Sequence, residues 1–329
     1  MNRDQIKLGV IGTGNIGRTH LKAWAANGIN PVALADAVPA SLDSAVQEYG
    51  GAAFADGAAL IASGLANVIS ICTPAKWHPE LAIAALEANI AVLCEKPLAR
   101  NETEANQIAD AVARTGGTLS VGFCHRFQPH VETLKAMIDS GDLGTVMTFR
   151  NRFAGHKKGA EKTWFANVEI SGGGVMTDTS VHSVDLFRHL IGDPIHVHAF
   201  TSSRETPLGP ELTVDDTSVM TLQTADGTIG IIDASWRTPP GEWTVTIYGT
   251  SATAILDYKT LTLRRIDADG SSHEIDVPAG DRFAREVEHF IDVITTGAEQ
   301  RVTVADGVWA NRILDTGYRS STNPVPVQR

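Results

Sequence analysis

The chain has few of the features that mark secreted, membrane or nucleic-acid-binding proteins. It contains only three cysteines, and each lies in or beside an apolar run, which predicts buried thiols in a reducing cytoplasm. The net charge of −11 argues against nucleic acid or an anionic membrane as the main partner, because both reward a basic surface. The first residues lack the apolar core of a secretory signal. We therefore expect a cytoplasmic protein.

Long hydrophobic runs and clustered metal ligands are also scarce. The uncharged stretch from Gly57 to Ala75 is nominally long enough to cross a bilayer. Polar residues, a glycine and a proline within it predict a helix, a turn and a strand instead. No C-x-x-C or H-E-x-x-H motif occurs, and the alternate residues His196 and His198 are typical of one strand face. We expect neither a membrane span nor a metal site.

What the first 123 residues do contain is a regular alternation of apolar runs and alanine-rich helical segments. The strand-like runs are Ile6–Gly12, Pro31–Ala35, Val68–Cys72, Ile90–Cys94 and Thr118–Phe123. Strict alternation of strands and helices predicts a parallel sheet with right-handed crossovers. Because these runs are apolar throughout, helices should cover both faces of the sheet.

The first apolar run leads directly into a G-x-G-x-x-G motif, formed by Gly12, Gly14 and Gly17. The first glycine permits a tight turn, the second lets backbone approach a pyrophosphate, and the third lets helix and strand pack closely. The following helix offers unpaired N–H groups to phosphate. Asp36 ends the next run about 20 residues later, where an acid binds the adenosine ribose. The predicted cofactor-binding residues of this region are Gly12, Thr13, Gly14, Asn15, Ile16 and Asp36.

The surroundings of Asp36 favour NAD over NADP. A carboxylate accepts hydrogen bonds from a free 2′-hydroxyl but repels a 2′-phosphate. The next residues, Ala37–Pro39, supply no arginine to hold that phosphate. We predict NAD as the cofactor, while strict specificity against NADP stays open.

Beyond residue 124 the pattern changes. A helix is predicted at Pro129–Ser140, and a glycine-rich turn at Gly172–Gly174 leads into a second helix. Several strand-like runs joined by short turns follow and indicate a mainly antiparallel sheet. Because 329 residues exceed what one core organises, we predict two domains. Residues 1–123 form a Rossmann domain with a doubly wound parallel sheet, and residues 124–329 form an α+β domain with an open, mainly antiparallel sheet.

Two polar clusters follow apolar runs of the first domain, at the strand ends where ligands of such sheets bind. They are Cys72–His78 and Glu95–Pro97. Pro97 restricts the geometry around Lys96. A lysine held there can hydrogen-bond a substrate hydroxyl and stabilise the negative charge that develops during hydride transfer. The alternative is a solvated surface lysine.

A second candidate group follows the glycine-rich turn. Asp178, His182 and Asp185 stand at i, i+4 and i+7, which puts them on one face of a helix. Oxidation of a carbinol requires removal of a proton as well as a hydride. A histidine with an ordinary pKa near ~6.5 suits that step, and a nearby carboxylate can orient its ring. The alternatives are a surface ion pair or a capping histidine.

Taken in order, these motifs resemble those of the Gfo/Idh/MocA oxidoreductases over nearly the whole chain. The motifs that carry the resemblance are Gly12-x-Gly14-x-x-Gly17, Cys72-Thr73-Pro74-x-x-x-His78, Glu95-Lys96-Pro97-Leu98, Gly122-Phe123-x-x-Arg126-Phe127-x-Pro129, Ser140-Gly141-x-Leu143-Gly144 and Gly172-Gly173-Gly174-x-x-x-Asp178-x-x-x-His182-x-x-Asp185-Leu186. The ordered combination is far more specific than any one of its parts.

The resemblance implies roles for individual residues. Lys96, Asp178 and His182 would form the catalytic group, with His182 as the proton acceptor. Arg126 and Trp164 match positions that line the active site or the rim of the cofactor. The further residues implied to contact the cofactor are Cys72, Thr73, Pro74, His78, Glu95 and Lys96.

The substrate stays open at the level of the sequence. The segment from Asn151 to Asn167 is rich in basic residues, including Arg152 and Lys157, and contains Trp164. These basic residues either bind a sugar acid or phosphate or are solvated loop charges. The predicted substrate-binding residues are Lys96, Arg126, Arg152, Trp164, Asp178 and His182. Further pocket candidates, which are equally compatible with core or interface positions, are Trp236, Arg237, Glu242 and Trp243.

We predict an NAD-dependent dehydrogenase that oxidises a secondary alcohol of a sugar, inositol or related polyol. One alternative is a redox-neutral glycosidase or lyase that acts through a transient keto-sugar on bound NAD. Another is a non-catalytic, NAD-responsive binding protein, although bare sensing requires no Lys/Asp/His group. The resemblance also implies a homodimer or homotetramer formed through the open sheet, whose apolar surface would otherwise stay exposed.

Overall fold

The computed structural model describes residues 1–322, and its first part is a parallel α/β unit. The strands are β1 (Leu8–Ile11), β2 (Pro31–Ala35), β3 (Ala52–Phe54), β4 (Val68–Ile71), β5 (Ala91–Glu95) and β6 (Leu119–Gly122). The helices between them are α1 (Asn15–Ala26), α2 (Pro39–Tyr49), α3 (Gly57–Ala62), α4 (His78–Glu87) and α5 (Glu102–Thr115). All six strands are parallel, in the order β3-β2-β1-β4-β5-β6. This order is that of a dinucleotide-binding sheet and confirms the predicted fold.

The sheet forms where the chain is continuously apolar. Strands β1, β4 and β6 are buried at every residue, as expected for a sheet covered on both faces. Trp24 of α1 is fully buried against it, and its indole Nε1 donates to Ser70 Oγ at 2.8 Å. The predictions missed β3 because its three residues are exposed or half-buried, so no apolar run marks it.

The middle of the chain forms a second, mainly antiparallel sheet. The helices here are α6 (Pro129–Asp139), the single turn α7 (Val168–Ser171) and α8 (Val181–Leu190), which a π-helical segment, Met176–Ser180, precedes. The strands are β7 (Val146–His156), β8 (Pro194–Ser202), β9 (Thr217–Thr224), β10 (Ile229–Ser235), β11 (Arg237–Gly249), β12 (Ala252–Asp257), β13 (Thr262–Asp267) and β14 (Ser272–Ile275). Their order is β14-β13-β12-β11-β7-β10-β9-β8, and only β7 and β10 pair in parallel. The predicted open sheet is confirmed.

The last two helices are α9 (Arg282–Thr296) and α10 (Val304–Ser321). Contacts between residues group Met1–Phe127 with Gly280–Asn311 in one unit, and Gln128–Ala279 with the described residues from Arg312 onward in the other. The sequence division at residues 123 and 124 differs from this grouping, because it assigned Gly280–Asn311 to the second domain. The last seven residues of that predicted domain, 323–329, lie outside the described residues.

The position of α9 has a direct physical cause. Its apolar face, formed by Val287, Phe290 and Ile291, is buried in the core of the first unit. Phe290 meets Trp24 edge to face, with 6.4 Å between ring centroids, and Asn27 donates to the Ala284 carbonyl at 2.9 Å. An amphipathic pattern shows that a helix has an apolar face, but it does not show which sheet the face covers.

Two expectations from composition can be compared directly with the structure. The three cysteines, Cys72, Cys94 and Cys124, are free and buried, as predicted. Burial raises the pKa of all three thiols well above the ordinary value, which is typical of structural cysteines. Among the helices of residues 1–322, none combines the length and apolar character that crossing a membrane requires.

Candidate functional site

In the glycine-rich turn after β1, the fold itself requires glycine at Gly12 and Gly17 but not at Gly14. Gly12 has a φ of +89°, and an added Cβ would lie 2.7 Å from the Cys72 carbonyl carbon. A Cβ at Gly17 would lie 1.9 Å from the Gly12 carbonyl oxygen. At Gly14, by contrast, a Cβ would meet nothing within 4 Å. The space beside Gly14, at the start of α1, therefore fits a phosphate group that the helix N-terminus can bind.

Asp36 is fixed at the end of β2 by three donors. Its Oδ2 accepts hydrogen bonds from Thr13 N at 2.6 Å and from Thr13 Oγ1 at 2.9 Å. Its Oδ1 accepts from Val38 N at 2.8 Å. The predicted cofactor residues Thr13 and Asp36 thus contact each other directly, and the carboxylate is held beside the glycine-rich turn where a ribose can reach it.

The two polar clusters at the ends of β4 and β5 are joined through His78. Its ring is buried, with Nε2 lying 2.7 Å from the Thr73 carbonyl oxygen and Nδ1 2.9 Å from that of Pro97. Burial lowers the pKa of His78, although the two carbonyl groups oppose this effect. His78, predicted to contact the cofactor, holds the Thr73 and Pro97 loops together through its own ring.

The hydroxyl of Thr73 is a buried polar group to which a ligand could hydrogen-bond. Its Oγ1 is buried and makes no hydrogen bond to any atom of residues 1–322. Buried hydroxyls nearly always have a partner. Together with the open space beside Gly14 and the fixed carboxylate of Asp36, this hydroxyl supports a bound dinucleotide along the strand ends.

The backbone of Lys96 is fixed by a buried acid–histidine pair that the sequence analysis missed. Glu95 Oε1 lies 2.9 Å from His20 Nε2, and both side chains are buried. Glu95 Oε2 accepts a hydrogen bond from Lys96 N at 3.0 Å. Burial tends to raise the pKa of Glu95, but His20 and Lys96 outweigh it and leave that pKa below its ordinary value. In the sequence, the available signal for this pair was a histidine, His20, one helical turn after Gly17.

Arg126 is engaged with the protein's own chain. Its guanidinium forms a 3.0 Å ion pair with Asp306 and donates to the Arg301 carbonyl at 3.0 Å, and the side chain is buried. Burial tends to raise the pKa of Asp306, but Arg126 and Thr303 together lower it. These contacts support a role for Arg126 in fixing the segment before α10 more than the predicted contact with cofactor or substrate.

In the second unit, the glycine-rich turn is held by Asp215, which sequence reasoning did not identify. Asp215 accepts hydrogen bonds from Gly174 N at 2.9 Å, Met176 N at 2.8 Å and the Tyr318 hydroxyl at 2.7 Å. Burial raises the pKa of Asp215, although these hydrogen bonds oppose the shift. A Cβ at Gly174 would lie 1.8 Å from the Asp215 carbonyl oxygen. Only glycine permits this approach, which fixes the start of the π-helical segment.

Asp178 and His182 follow this turn, in a less regular geometry than predicted. Asp178 lies within the π-helical segment and His182 in the first turn of α8. The i, i+4 rule assumes an α-helix, whereas a π-helix pairs i with i+5. Asp178 and His182 are half-buried, while Asp185 is 2% exposed. The accessible part of the predicted trio is therefore Asp178 and His182.

Asp178 is in direct contact with a lysine and a group of aromatic rings. Lys157 Nζ lies 2.9 Å from Asp178 Oδ2 and also 3.2 Å from the centroid of the Phe165 ring. Trp164 stacks on Phe165 with a centroid separation of 3.8 Å, and Trp236 meets Phe165 edge to face. We call Trp164, Phe165 and Trp236 the aromatic wall. The predicted substrate residue Trp164 belongs to it.

Arg152, also predicted to bind substrate, lies elsewhere. On β7, Phe149 packs edge to face on Phe187 of α8, and Asn151 accepts a hydrogen bond from Ser183 of the same helix. Side chains alternate along a strand, so Arg152 lies on the opposite face of the sheet. There it pairs with Asp233 and Glu242. It lines an open cavity of about 360 Å³ with Arg150, Glu242, Thr244, Thr246 and Tyr248.

Comparisons with known proteins agree with the two-part fold. Residues 6–123 match the family described as the oxidoreductase family with an NAD-binding Rossmann fold, and residues 131–255 match the GFO/IDH/MocA C-terminal domain. The fold is similar to that of levoglucosan dehydrogenase solved with NADH and levoglucosan, with a TM-score of 0.88 and 26% identity. That superposition covers 96% of this chain and 97% of the other.

Curated relatives extend the similarity over the whole length. Inositol 2-dehydrogenase of Rhizobium meliloti (strain 1021) is 30% identical over 96% of this chain and 96% of its own. The scyllo-inositol 2-dehydrogenase (NAD(+)) of Bacillus subtilis (strain 168) is 25% identical over 98% of this chain and 96% of its own. The chain therefore belongs to the Gfo/Idh/MocA family and is an NAD-dependent oxidoreductase.

Proposed function

We propose that the chain oxidises a secondary alcohol of a sugar, inositol or related polyol, with Lys96, Asp178 and His182 as its catalytic group. The observation that carries this proposal is that all three residues lie next to fixed backbone, in a chain similar to an inositol 2-dehydrogenase over 96% of its length. Lys96 follows the Glu95–His20 pair, and Asp178 and His182 follow the turn bound by Asp215. When bound, NAD accepts the hydride, which lets the substrate carbon become a carbonyl carbon.

Lys96 binds the substrate hydroxyl and stabilises the oxygen as its proton leaves. Its ammonium group supplies hydrogen-bond donors and a positive charge. The Glu95 carboxylate holds the Lys96 N–H, and His20 holds Glu95 in turn. This arrangement fixes the backbone from which the lysine side chain extends, which supports a positioned group over a solvated surface lysine.

His182 accepts the hydroxyl proton in this proposal, and Asp178 orients the reacting groups. Both side chains retain exposed surface, and the turn before them is fixed by Asp215. A neutral imidazole suits proton transfer near neutral pH. Lys157 pairs with Asp178 and balances the charge of its carboxylate while Asp178 orients the reacting groups.

The cofactor is held by the residues around the first glycine-rich turn. The backbone of Gly12, Gly14 and Asn15 would hold the phosphates, Asp36 would bind the ribose, and Thr73 would offer its buried hydroxyl at the strand end. NAD is preferred over NADP because Asp36 already carries a negative charge where a 2′-phosphate would lie.

We also propose that the chain self-associates through the outer face of its second sheet, which is the face that carries Arg152 and lies opposite α8. The apolar side chains Phe200, Val219, Ile229 and Tyr248 lie on this face and are between 38% and 57% exposed. Exposed apolar patches of this kind are typical of protein interfaces. The face supports a homodimer or homotetramer.

Replacement of Lys96 by methionine tests the catalytic assignment. In Lys96→Met we expect turnover to fall by about 10²–10³-fold, the usual loss when one charge-stabilising donor is removed. The affinity for NAD should stay within a few-fold of the wild-type value, as measured by fluorescence titration. The control is Lys22→Met, which changes an exposed lysine of the same unit. Wild-type turnover in Lys96→Met would contradict the assigned role.

A further inference from the structure

Lys157 differs from the other lysines of its segment in how it is held. It follows directly after β7, and its backbone N–H donates to the Trp236 carbonyl at 3.0 Å. Its ammonium group lies 2.9 Å from Asp178 Oδ2, 3.2 Å from the Phe165 ring centroid and 4.5 Å from that of Trp236. Lys158 and Lys162, by contrast, are exposed. Lys157 is thus fixed beside a proposed catalytic residue, and the other two are solvated loop charges.

The contacts of Lys157 go beyond those of an ordinary surface ion pair. Exposed pairs of long side chains are loosely held and screened by salt. Here the side chains of Lys157 and Asp178 are only 29% and 20% exposed, and the ammonium group also contacts the Phe165 and Trp236 rings. The ammonium group is therefore placed in advance, which reduces the ordering cost of binding a ligand.

The pair has the chemistry to recognise neighbouring hydroxyl groups. The ammonium of Lys157 is a donor only, and the carboxylate of Asp178 is an acceptor only. Two hydroxyls on adjacent carbons can accept from one and donate to the other, while the C–H face of a sugar ring packs on the aromatic wall. The pair carries no net charge, so it gives an anionic substrate no net attraction to offset the loss of that substrate's hydration.

We propose that Lys157 is a substrate-binding residue that, with Asp178 and the aromatic wall, selects neutral vicinal polyols over sugar acids. This inference rests on the proposed function, since it names the substrate class and a binding residue for the same site. It assigns the cation of the basic segment to a hydroxyl-binding pair instead of to an anion site.

Equilibrium binding tests the proposal independently of turnover. Isothermal titration of the full chain with NADH present would use myo-inositol, levoglucosan, D-glucose and D-glucuronate as probes. We expect the wild type to bind at least one neutral polyol and to bind D-glucose more tightly than D-glucuronate. In Lys157→Met the affinity for that polyol should fall about tenfold or more, the order expected for one lost charge-assisted hydrogen bond.

The controls separate a binding role from a structural one. Lys158→Met, which changes the exposed neighbour, should bind the polyol like the wild type. Phe165→Leu keeps Lys157 but removes an aromatic face, so it should weaken binding in the same direction and to a smaller extent. This variant decides the question if Lys157→Met does not fold, which its thermal unfolding curve shows.

Three results would overturn the inference. They are unchanged polyol affinity in folded Lys157→Met, a wild-type preference for D-glucuronate that this variant loses, and no binding of any neutral polyol by the wild type. The first two leave the proposed dehydrogenase intact. Conversely, a polyol that binds through Lys157 but yields no NADH would contradict the proposed function and leave the binding role of Lys157 standing.

Discussion

At the scale of a single residue, Asp36 is the one that we propose sets the choice of cofactor. Both of its carboxylate oxygens accept hydrogen bonds from the chain, from Thr13 on one side and from Val38 on the other. The carboxylate is therefore held in one orientation by the chain itself. An ordered negative charge disfavours a second one more strongly than a mobile charge does, because a mobile side chain can relax into solvent.

Removing this charge should relax the preference for NAD. In Asp36→Ser we expect the ratio of kcat/KM for NAD to that for NADP to fall at least tenfold, which corresponds to about 1.4 kcal/mol. The serine keeps a hydroxyl for hydrogen bonding but lacks the charge. Steady-state kinetics with both cofactors measure the ratio, and Asp43→Ser, on an exposed residue of α2, is the control. An unchanged ratio in Asp36→Ser would show that other residues select the cofactor.

Single residues also show the limit of sequence reasoning about the site. The glycines of the first turn and Asp36 were identifiable because their spacing is local and has a fixed physical meaning. The pairs His20–Glu95 and Lys157–Asp178 were not, because the spacing between their members matches no motif with a fixed physical meaning. Polar pairing leaves no periodic signal in a sequence. The position of Arg152 on the opposite sheet face follows only from the observed strand β7, because the charge of a residue does not show which face of a sheet it lies on.

At the level of the element, the turn before α8 depends on a close approach between backbone segments. Gly174 N and Met176 N both donate to the Asp215 carboxylate, and Val175 N donates to the Asp215 carbonyl at 2.8 Å. The turn thus binds one aspartate through three successive N–H groups. These contacts place the helix that carries Asp178 and His182, so the proposed catalytic group depends on the same contacts that hold the turn.

A methyl group at Gly174 should destabilise this turn. In Gly174→Ala the added carbon would overlap the Asp215 carbonyl oxygen, and overpacking of this kind costs about 1–3 kcal/mol. For a unit of this size we expect the unfolding temperature to fall by roughly 2–4 °C per kcal/mol. Differential scanning calorimetry measures the shift. Gly155→Ala is the control, because its Cβ would meet only a contact at 3.6 Å; equal effects of the two substitutions would refute the argument.

Whole elements were predictable where apolar residues are continuous and not where they are absent. The buried strands β1, β4 and β6 were identifiable from their apolar runs. The short strands β3 and β14 are largely exposed and were missed. The packing of α9 on α1 was also out of reach, because amphipathicity does not name a partner.

At the level of the whole molecule, each unit contributes one part of the proposed chemistry. The first unit carries the glycine-rich turn, Asp36 and Lys96. The second carries Asp178, His182 and Lys157. Because the same residues could support either net oxidation or a transient oxidation that is later reversed, the residues themselves do not distinguish the two reactions. The two reactions differ in whether the hydride stays on NADH or is returned to the product.

The most direct test of the central claim is the stoichiometry between NADH and oxidised product. Purified full-length chain is incubated with NAD and a neutral polyol, NADH is followed by its absorbance, and the ketone is quantified by chromatography. Net oxidation predicts that NADH and ketone accumulate in equal amounts. Conversion of a glycoside without accumulation of NADH would contradict the proposed dehydrogenase and indicate redox-neutral chemistry on bound NAD.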